Sequence, residues 1–320
     1  MGASLNELFG HADAVRPATA GSYGIRPPAY RLPDATRIRS VTLQVSDLAR
    51  SRDYYEHTLG FRTLEIATHR VSLGCARSDA PLITLVEQRA GQRRPPRKTL
   101  GLYHVAILLP SRGDLGRFLR HLETRGVRAG AGDHVVSEAL YLQDPDNLGI
   151  EVYADRPRDT WRQRKNELVM ATDPLDFRSL MDAGGTEQWT GMPAGTTIGH
   201  VHLHVGDIDT AARFYADALG LDRVVWSYPG ALFLSAGGYH HHLGTNVWAG
   251  ADAKSPEADD PQLLEWVIEL PTIADVEAVA QSLRTLGYSA EPARQSAGII
   301  ARDPWGTALK IAAEGAATAR

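Results

Sequence analysis

The feature that most restricts this chain is an internal repeat: a strand, a helix and then further strands recur four times, in blocks of about 50 to 60 residues. The clearest copy is Ile198-Gly-His-Val-His-Leu-His-Val-Gly-Asp207 followed by Ile208-Asp-Thr-Ala-Ala-Arg-Phe-Tyr-Ala-Asp-Ala-Leu-Gly-Leu221. Its first half alternates polar and apolar residues as a half-buried strand does, so His200, His202 and His204 project from one face. Ile208, Ala211, Ala212, Tyr215 and Leu219 then recur at helical spacing, between a capping Asp207 and a terminating Gly220. A strand thus delivers imidazoles to a surface and a helix covers its other side. A polar strand face wetted by solvent accounts for any one of these histidines alone; three in alternation, with partners elsewhere, point to a metal.

The other copies are read the same way. Unit one has strands at 41–45, 70–73 and 82–86 with a helix at 48–59 after Asp47. Unit two has strands at 102–110, 138–142 and 148–153, a helix at 114–125, and a tight turn at Asp144-Pro-Asp-Asn147. Unit three adds strands at 231–234 and 239–248, and unit four runs from 264–271 through a helix at 273–286 to strands at 298–301 and 308–311 around Asp303-Pro-Trp-Gly306. The expected fold is α+β, with four tandem βαβββ units paired into two incomplete barrels. Residues 1–35, rich in glycine and proline, read as an extended arm or disordered lead-in. Residues 36–157 form a first domain of units one and two, 158–195 a connector with a short helix near 175–182, and 196–320 a second domain of units three and four.

Several classes of function are disfavoured by composition. With 43% hydrophobic and 22% charged residues the chain can bury a sizeable core. A formal net charge of −4 gives no general pull toward nucleic acid or an anionic membrane, and the cluster Arg93-Arg94-Pro-Pro-Arg97-Lys98 reads as a solvated loop. There is no apolar run of roughly 18 residues and no charged-then-apolar leader, so a cytoplasmic protein is expected. The single cysteine, Cys75, excludes an internal disulfide framework and a cysteine-rich zinc site.

The quartet resembles the vicinal oxygen chelate superfamily. The strings Gly101-Leu-Tyr-His-Val-Ala-Ile-Leu-Leu-Pro110, Gly132-Asp-His-Val-Val-Ser-Glu-Ala-Leu-Tyr-Leu142, Ile150-Glu-Val-Tyr-Ala-Asp-Arg-Pro157, Ile198-Gly-His-Val-His-Leu-His204 and Gly237-Gly-Tyr-His-His-His-Leu-Gly244 are similar to those of two-domain extradiol dioxygenases of the catechol 2,3-dioxygenase kind. The similarity covers about 36–315. The repeat alone is shared with glyoxalases and antibiotic-resistance proteins; the five strings together are more selective.

A ligand set follows from the repeat itself. Superimposing the units on their first strands makes Ser40, His104, His200 and Glu265 equivalent, and superimposing the final strands on the Asp-Pro turns sets Glu151 opposite Lys310. Only units two and three therefore supply ligands: His104, His200 and Glu151. Two imidazoles and a carboxylate on one face of an octahedral ion are the facial triad of non-haem Fe(II) oxygenases, which leaves positions for a bidentate catecholate and dioxygen. Lys310 would bring positive charge to a cation and Ser40 is a poor ligand, so one metal per chain is expected, with units one and four a ligand-poor counterpart.

Ring cleavage also needs a base for a catechol hydroxyl and a donor near the bound oxygen. Tyr141 stands at a spacing from Glu151 that resembles the active-site tyrosine of extradiol enzymes, and His134 precedes the same hairpin. In His240-His241-His242, strand alternation turns the outer two toward the cavity, so His240 and His242 are the expected acid/base groups and His241 faces away; a bulge would reverse this. His202 is expected to line the pocket with Tyr153 and Trp248, a fourth-ligand role for His202 staying open, and Trp161 is a further wall or core residue.

The reading is an Fe(II)-dependent extradiol dioxygenase, with Mn(II) accepted by the same ligands, that opens catechol-type substrates with O2 to a muconic semialdehyde-type product. A hydroquinone-cleaving relative, a glyoxalase-type isomerase and a metal-free drug-sequestering protein are the alternatives. A homo-oligomer in which the proline-rich arm takes part is compatible with the sequence.

Overall fold

In the computed structural model, residues 14–88, 99–293 and 297–315 are described. The basic cluster at 93–98 and the start of the arm lie outside them. The first strands of the four units, Arg37–Val45, Gly101–Leu108, Thr197–His204 and Gln262–Leu270, form the middle of one large sheet. Each pairs in parallel with the last strand of its own unit, namely Ile83–Glu87, Gly149–Asp155, Leu243–Asn246 and Ala308–Ala313. Parallel neighbours need a crossover, and the helix in each unit supplies it.

Between units the first strands run antiparallel. Unit two pairs with unit three and unit one with unit four, and a single register pair, Ile38 opposite Ile198, joins the two pairs. Hydrogen bonding of strands therefore does not follow the grouping of consecutive units. Side chains on the helices link them instead. Tyr55 in unit one donates to Asp144 Oδ2 of unit two at 3.3 Å, and Tyr215 in unit three donates to Asp303 Oδ2 of unit four at 2.8 Å. The other oxygen of each aspartate accepts two backbone N–H groups of its own Asp-Pro turn, from Asp146 and Leu148 and from Trp305 and Thr307. A buried acceptor in this position closes the turn that leads into the last strand.

The expected helices are present, with one difference. Leu48–Asp53 and Ile208–Ala211 begin as α-helix, capped by Asp47 and Asp207, and then widen into the π-helical segments Tyr54–Leu59 and Ala212–Ala218. Apolar spacing cannot distinguish the two forms over a single turn. Gly60 and Gly220 follow at φ of 91° and 99°, which L side chains rarely adopt. Strands Arg62–Ala67, Gly130–Asp133 and Asp222–Val225 escape the sequence pattern; each is short and departs from clean alternation. Conversely, the strand expected over 239–248 is restricted to Leu243–Asn246. Two left-handed glycines, Gly237 and Gly238 at φ of 62° and 63°, turn the chain, and residues 239–242 run as irregular backbone.

From residue 14 the arm is ordered: Arg16–Pro17 pairs with the connector strand Arg162–Arg164, and Tyr23 and Leu32 are buried. The lead-in is thus a strap over the described surface, held by strand pairing that its composition does not reveal. The connector also carries the helix Phe177–Ala183, which packs on Arg112–Thr124 of unit two. Among the described residues, no helix is long and apolar enough to cross a membrane.

Gly116 is where those two helices meet: a Cβ added there would stand 2.2 Å from the Leu180 carbonyl oxygen. Glycine to alanine inside a helix ordinarily stabilises by up to about 1 kcal/mol. For Gly116→Ala the sign is expected to reverse, with a loss of roughly 1–3 kcal/mol because backbone must move. Thermal denaturation checks this; a raised Tm would show that the contact is loose.

Candidate metal centre

Register sets the site. On the first strand of unit two, Ala106 has Glu151 as its parallel neighbour on one side and His200 as its antiparallel neighbour on the other. Tyr141 lies beyond Glu151 on the next strand, so Tyr141, Glu151, Ala106 and His200 form one lateral row. His104 is two residues from Ala106 and so on the same face, opposite His202. The small side chain of Ala106 thus sits among three candidate ligands, and Ala106 is a determinant that periodicity did not single out. In the unit one and four pair, Val267 takes its place between Ser40 and Lys310, as the superposition of units requires.

The donor atoms of His104, Glu151 and His200 all lie within 4.8 Å of one another, and all three residues are buried. His104 Nε2 and His200 Nε2 are 2.9 and 3.1 Å from the same oxygen, Glu151 Oε2. Ligand atoms about 2.1 Å from an ion at right angles stand about 3 Å apart, so the spacing is that of adjacent ligands. Although close to Glu151 Oε2, His104 Nε2 is outside hydrogen-bonding geometry to it and makes no hydrogen bond among the described residues. Such a buried nitrogen is uncommon without a reason.

Electrostatics agree. Burial works to raise the Glu151 carboxyl, but His200 and His104 hold it well below the ordinary carboxylate range. Burial pushes His200 down to about 4 and His202 and His241 well below the usual imidazole range. Near neutral pH the site therefore holds an ionised, buried carboxylate, with His200, His202 and His241 neutral around it. A buried charge without a counter-charge is costly, and a cation supplies what is missing.

The triad lines a cavity of about 270 Å³, at the small end of the ligand-pocket range of roughly 300–1,000 Å³ and suited to a single ring. Tyr103, Tyr141, Tyr228, Phe233 and Trp248 give it aromatic walls. Met170, Ala171 and Thr172 from the connector close one side, and Thr172 Oγ1 is 3.1 Å from the Tyr228 hydroxyl.

Tyr141 and His134 both line the cavity. His134 Nδ1 donates to the Ala171 carbonyl at 2.8 Å, which leaves Nε2 to accept from the Tyr141 hydroxyl at 2.6 Å. Burial and the Glu151 charge raise Tyr141 well above its usual range, so it stays a donor. His202 also lines the cavity, but it is not a free ligand. The Trp248 backbone N–H donates to Asn246 Oδ1, which fixes the amide, and Asn246 Nδ2 then donates to His202 Nε2 at 2.9 Å.

The histidine triplet is reversed from expectation. His241 lines the cavity and lies on His200 with ring centroids 4.0 Å apart. His240 turns away to Asp155, and His242 Nδ1 accepts from the Ala236 backbone N–H. Strand alternation does not apply because the triplet precedes the strand and follows the glycine turn. Tyr153 is corrected too: fully buried, it packs behind His200, with its hydroxyl 2.7 Å from that of Tyr239. Trp248 is in the wall, whereas Trp161 is a core residue whose Nε1 donates to the Arg156 carbonyl. The connector residues had no sequence signal, since only the chain's return across the cavity brings them there.

A family model described as the glyoxalase/bleomycin resistance protein/dioxygenase superfamily matches residues 37–152 and 197–311. A Bacillus subtilis (strain 168) protein named catechol-2,3-dioxygenase is 43% identical over 264 residues, spanning 82% of this chain and 92% of that one. Among solved structures, a Bacillus subtilis protein provisionally described as a dioxygenase matches with a TM-score of 0.63 at 14% identity, over 89% of this chain and 87% of that one. Glyoxalase I of Zea mays matches with a TM-score of 0.52 at 18% identity, over 87% and 92%. At these identities the two structures speak for the fold alone.

Ala106→Leu is expected to reduce bound metal severely while the chain stays folded, because the larger side chain enters the space among the three ligands. Metal analysis alongside circular dichroism decides it; full metal content would place the ion elsewhere.

Proposed function

Because the chain belongs to the glyoxalase/bleomycin resistance protein/dioxygenase superfamily, we propose that it is an Fe(II)-dependent extradiol dioxygenase, cleaving catechol-type rings with O2 beside the diol to a muconic semialdehyde-type product. One observation carries this reading: an ionised, buried Glu151 between the imidazoles of His104 and His200 in the wall of an aromatic cavity. The 43%-identical relative named catechol-2,3-dioxygenase supports the same direction. His104, Glu151 and His200 would hold the iron, and Mn(II) suits the same nitrogen and oxygen donors. Bound there, the metal supplies Lewis acidity and the one-electron chemistry through which dioxygen reacts with an aromatic diol.

The remaining work falls to this chain's own side chains. Phe233 and Trp248 bound the slot for the ring, and the connector helps exclude water. His241, neutral and facing the cavity, takes a catechol hydroxyl proton. Tyr141 holds its hydroxyl at the cavity wall, its single proton directed to His134 Nε2. A glyoxalase-type isomerase would call for further carboxylate ligands, and Glu151 is the sole acidic residue among the described cavity walls. A metal-free sequestering protein leaves the convergence of the triad without a cause. The reaction is assigned to the cytoplasm, consistent with a single, buried, free cysteine.

Anaerobically purified protein is expected to hold about one iron per chain and to consume oxygen with catechol, yielding a yellow product; iron-replete protein that takes up no oxygen with any catechol would reject the assignment. Glu151→Ala is expected to lose both iron and turnover while remaining folded. His241→Ala is expected to keep iron and lose roughly 10²- to 10⁴-fold in kcat, the usual range for a general acid or base. Iron content and oxygen-electrode rates on the two variants separate the roles.

A further inference from the structure

We infer that Asp155 and His240 are positioning residues that keep the proton of His241 on Nδ1 and leave its Nε2 bare for the substrate. This rests on the reading of His241 as the base. His240 is fully buried and does not itself line the cavity. Its Nε2 is 2.9 Å from Asp155 Oδ1, and its Nδ1 is 2.7 Å from His241 Nδ1. A carboxylate only accepts, so His240 Nε2 is the donor in the first contact. In the neutral ring Nδ1 is then the acceptor, and the second contact is His241 Nδ1–H donating to it. His241 is left with an unprotonated Nε2 on a ring that faces the cavity.

The surroundings hold this chain of bonds rigidly. Tyr239 and Trp161 lie on His240 with ring centroids 4.1 and 5.5 Å away, and His241 follows at 4.6 Å. Asp155 Oδ1 also accepts from the Tyr239 hydroxyl at 3.1 Å, while its side chain keeps 27% exposure to solvent. Without Asp155, nothing among its described partners requires His240 to donate through Nε2. Both rings could then exchange tautomers and place a proton on the nitrogen that must receive one. The logic is that of the carboxylate that orients the histidine in serine proteases, where removing the negative charge leaves geometry intact but presents the wrong tautomer.

The test uses iron-loaded full-length enzyme with catechol and oxygen. Asp155→Asn and His240→Gln are each expected to lower kcat about tenfold to a hundredfold, with KM within about twofold and iron content unchanged. Asp155→Glu is expected to recover part of the rate, since it restores an acceptor-only group. Tyr239→Phe removes the other hydrogen bond to the same oxygen without affecting proton placement, and is expected to stay within about twofold of wild type. Normal kcat in both Asp155→Asn and His240→Gln would overturn the inference. So would equal losses in Tyr239→Phe, or a joint fall of iron, KM and kcat, because these indicate a structural role only. His241→Ala separates the two levels: if it retains wild-type kcat, the base assignment has failed, whereas a crippled His241→Ala with a normal Asp155→Asn overturns only the positioning role.

Discussion

A carboxylate that is buried and ionised must be matched by something, and the arrangement around Glu151 follows from that requirement. The two nearest nitrogens belong to the imidazoles of His104 and His200, the second of which burial keeps from carrying a positive charge, and an imidazole lone pair is what a cation can use. The backbone had to bring three residues from distant parts of the chain to one point. It does so through strand register, because the neighbours of Ala106 on both sides are fixed by hydrogen bonds that cannot slip by one residue without turning every side chain over. The Asp144 turn, closed by its own backbone N–H groups and by Tyr55 from another unit, holds the Glu151 strand in that register.

Small residues matter as much as the candidate ligands. Gly199 leaves room for the Tyr153 ring behind His200, since an added Cβ would fall 1.7 Å from the tyrosine hydroxyl. Gly244 lies against the His202 ring in the same manner, with an added Cβ 2.8 Å from Cγ. Such positions let aromatic and imidazole rings stack in two layers: one facing the cavity, the other formed by Tyr153, Tyr239 and His240 beneath it. The deeper layer is joined to solvent through Asp155, and the upper one is closed by the connector. The site is therefore assembled from units two and three plus a segment that belongs to neither.

The repeat, the placement of helices and the equivalence of Ser40, His104, His200 and Glu265 were all legible because they depend on local periodicity, which a linear string carries in full. Alternation alone put His200, His202 and His204 on one face of their strand. The same rule failed for His240-His241-His242, where two left-handed glycines end the strand geometry on which alternation rests. It also failed to separate Trp161 and Tyr153 from Trp248, since buried and cavity-facing aromatics look alike in sequence.

What the sequence determined by itself was the family of units, the candidate ligand types and their absence from the equivalent positions of units one and four, because residue chemistry at equivalent strand positions needs no knowledge of distance. Which units share a strand edge, which histidine of the triplet sees the cavity, and how the arm and connector lie over the surface were decided only in three dimensions. These depend on contacts between segments up to a hundred residues or more apart, whose energies arise from packing and burial that no local pattern encodes.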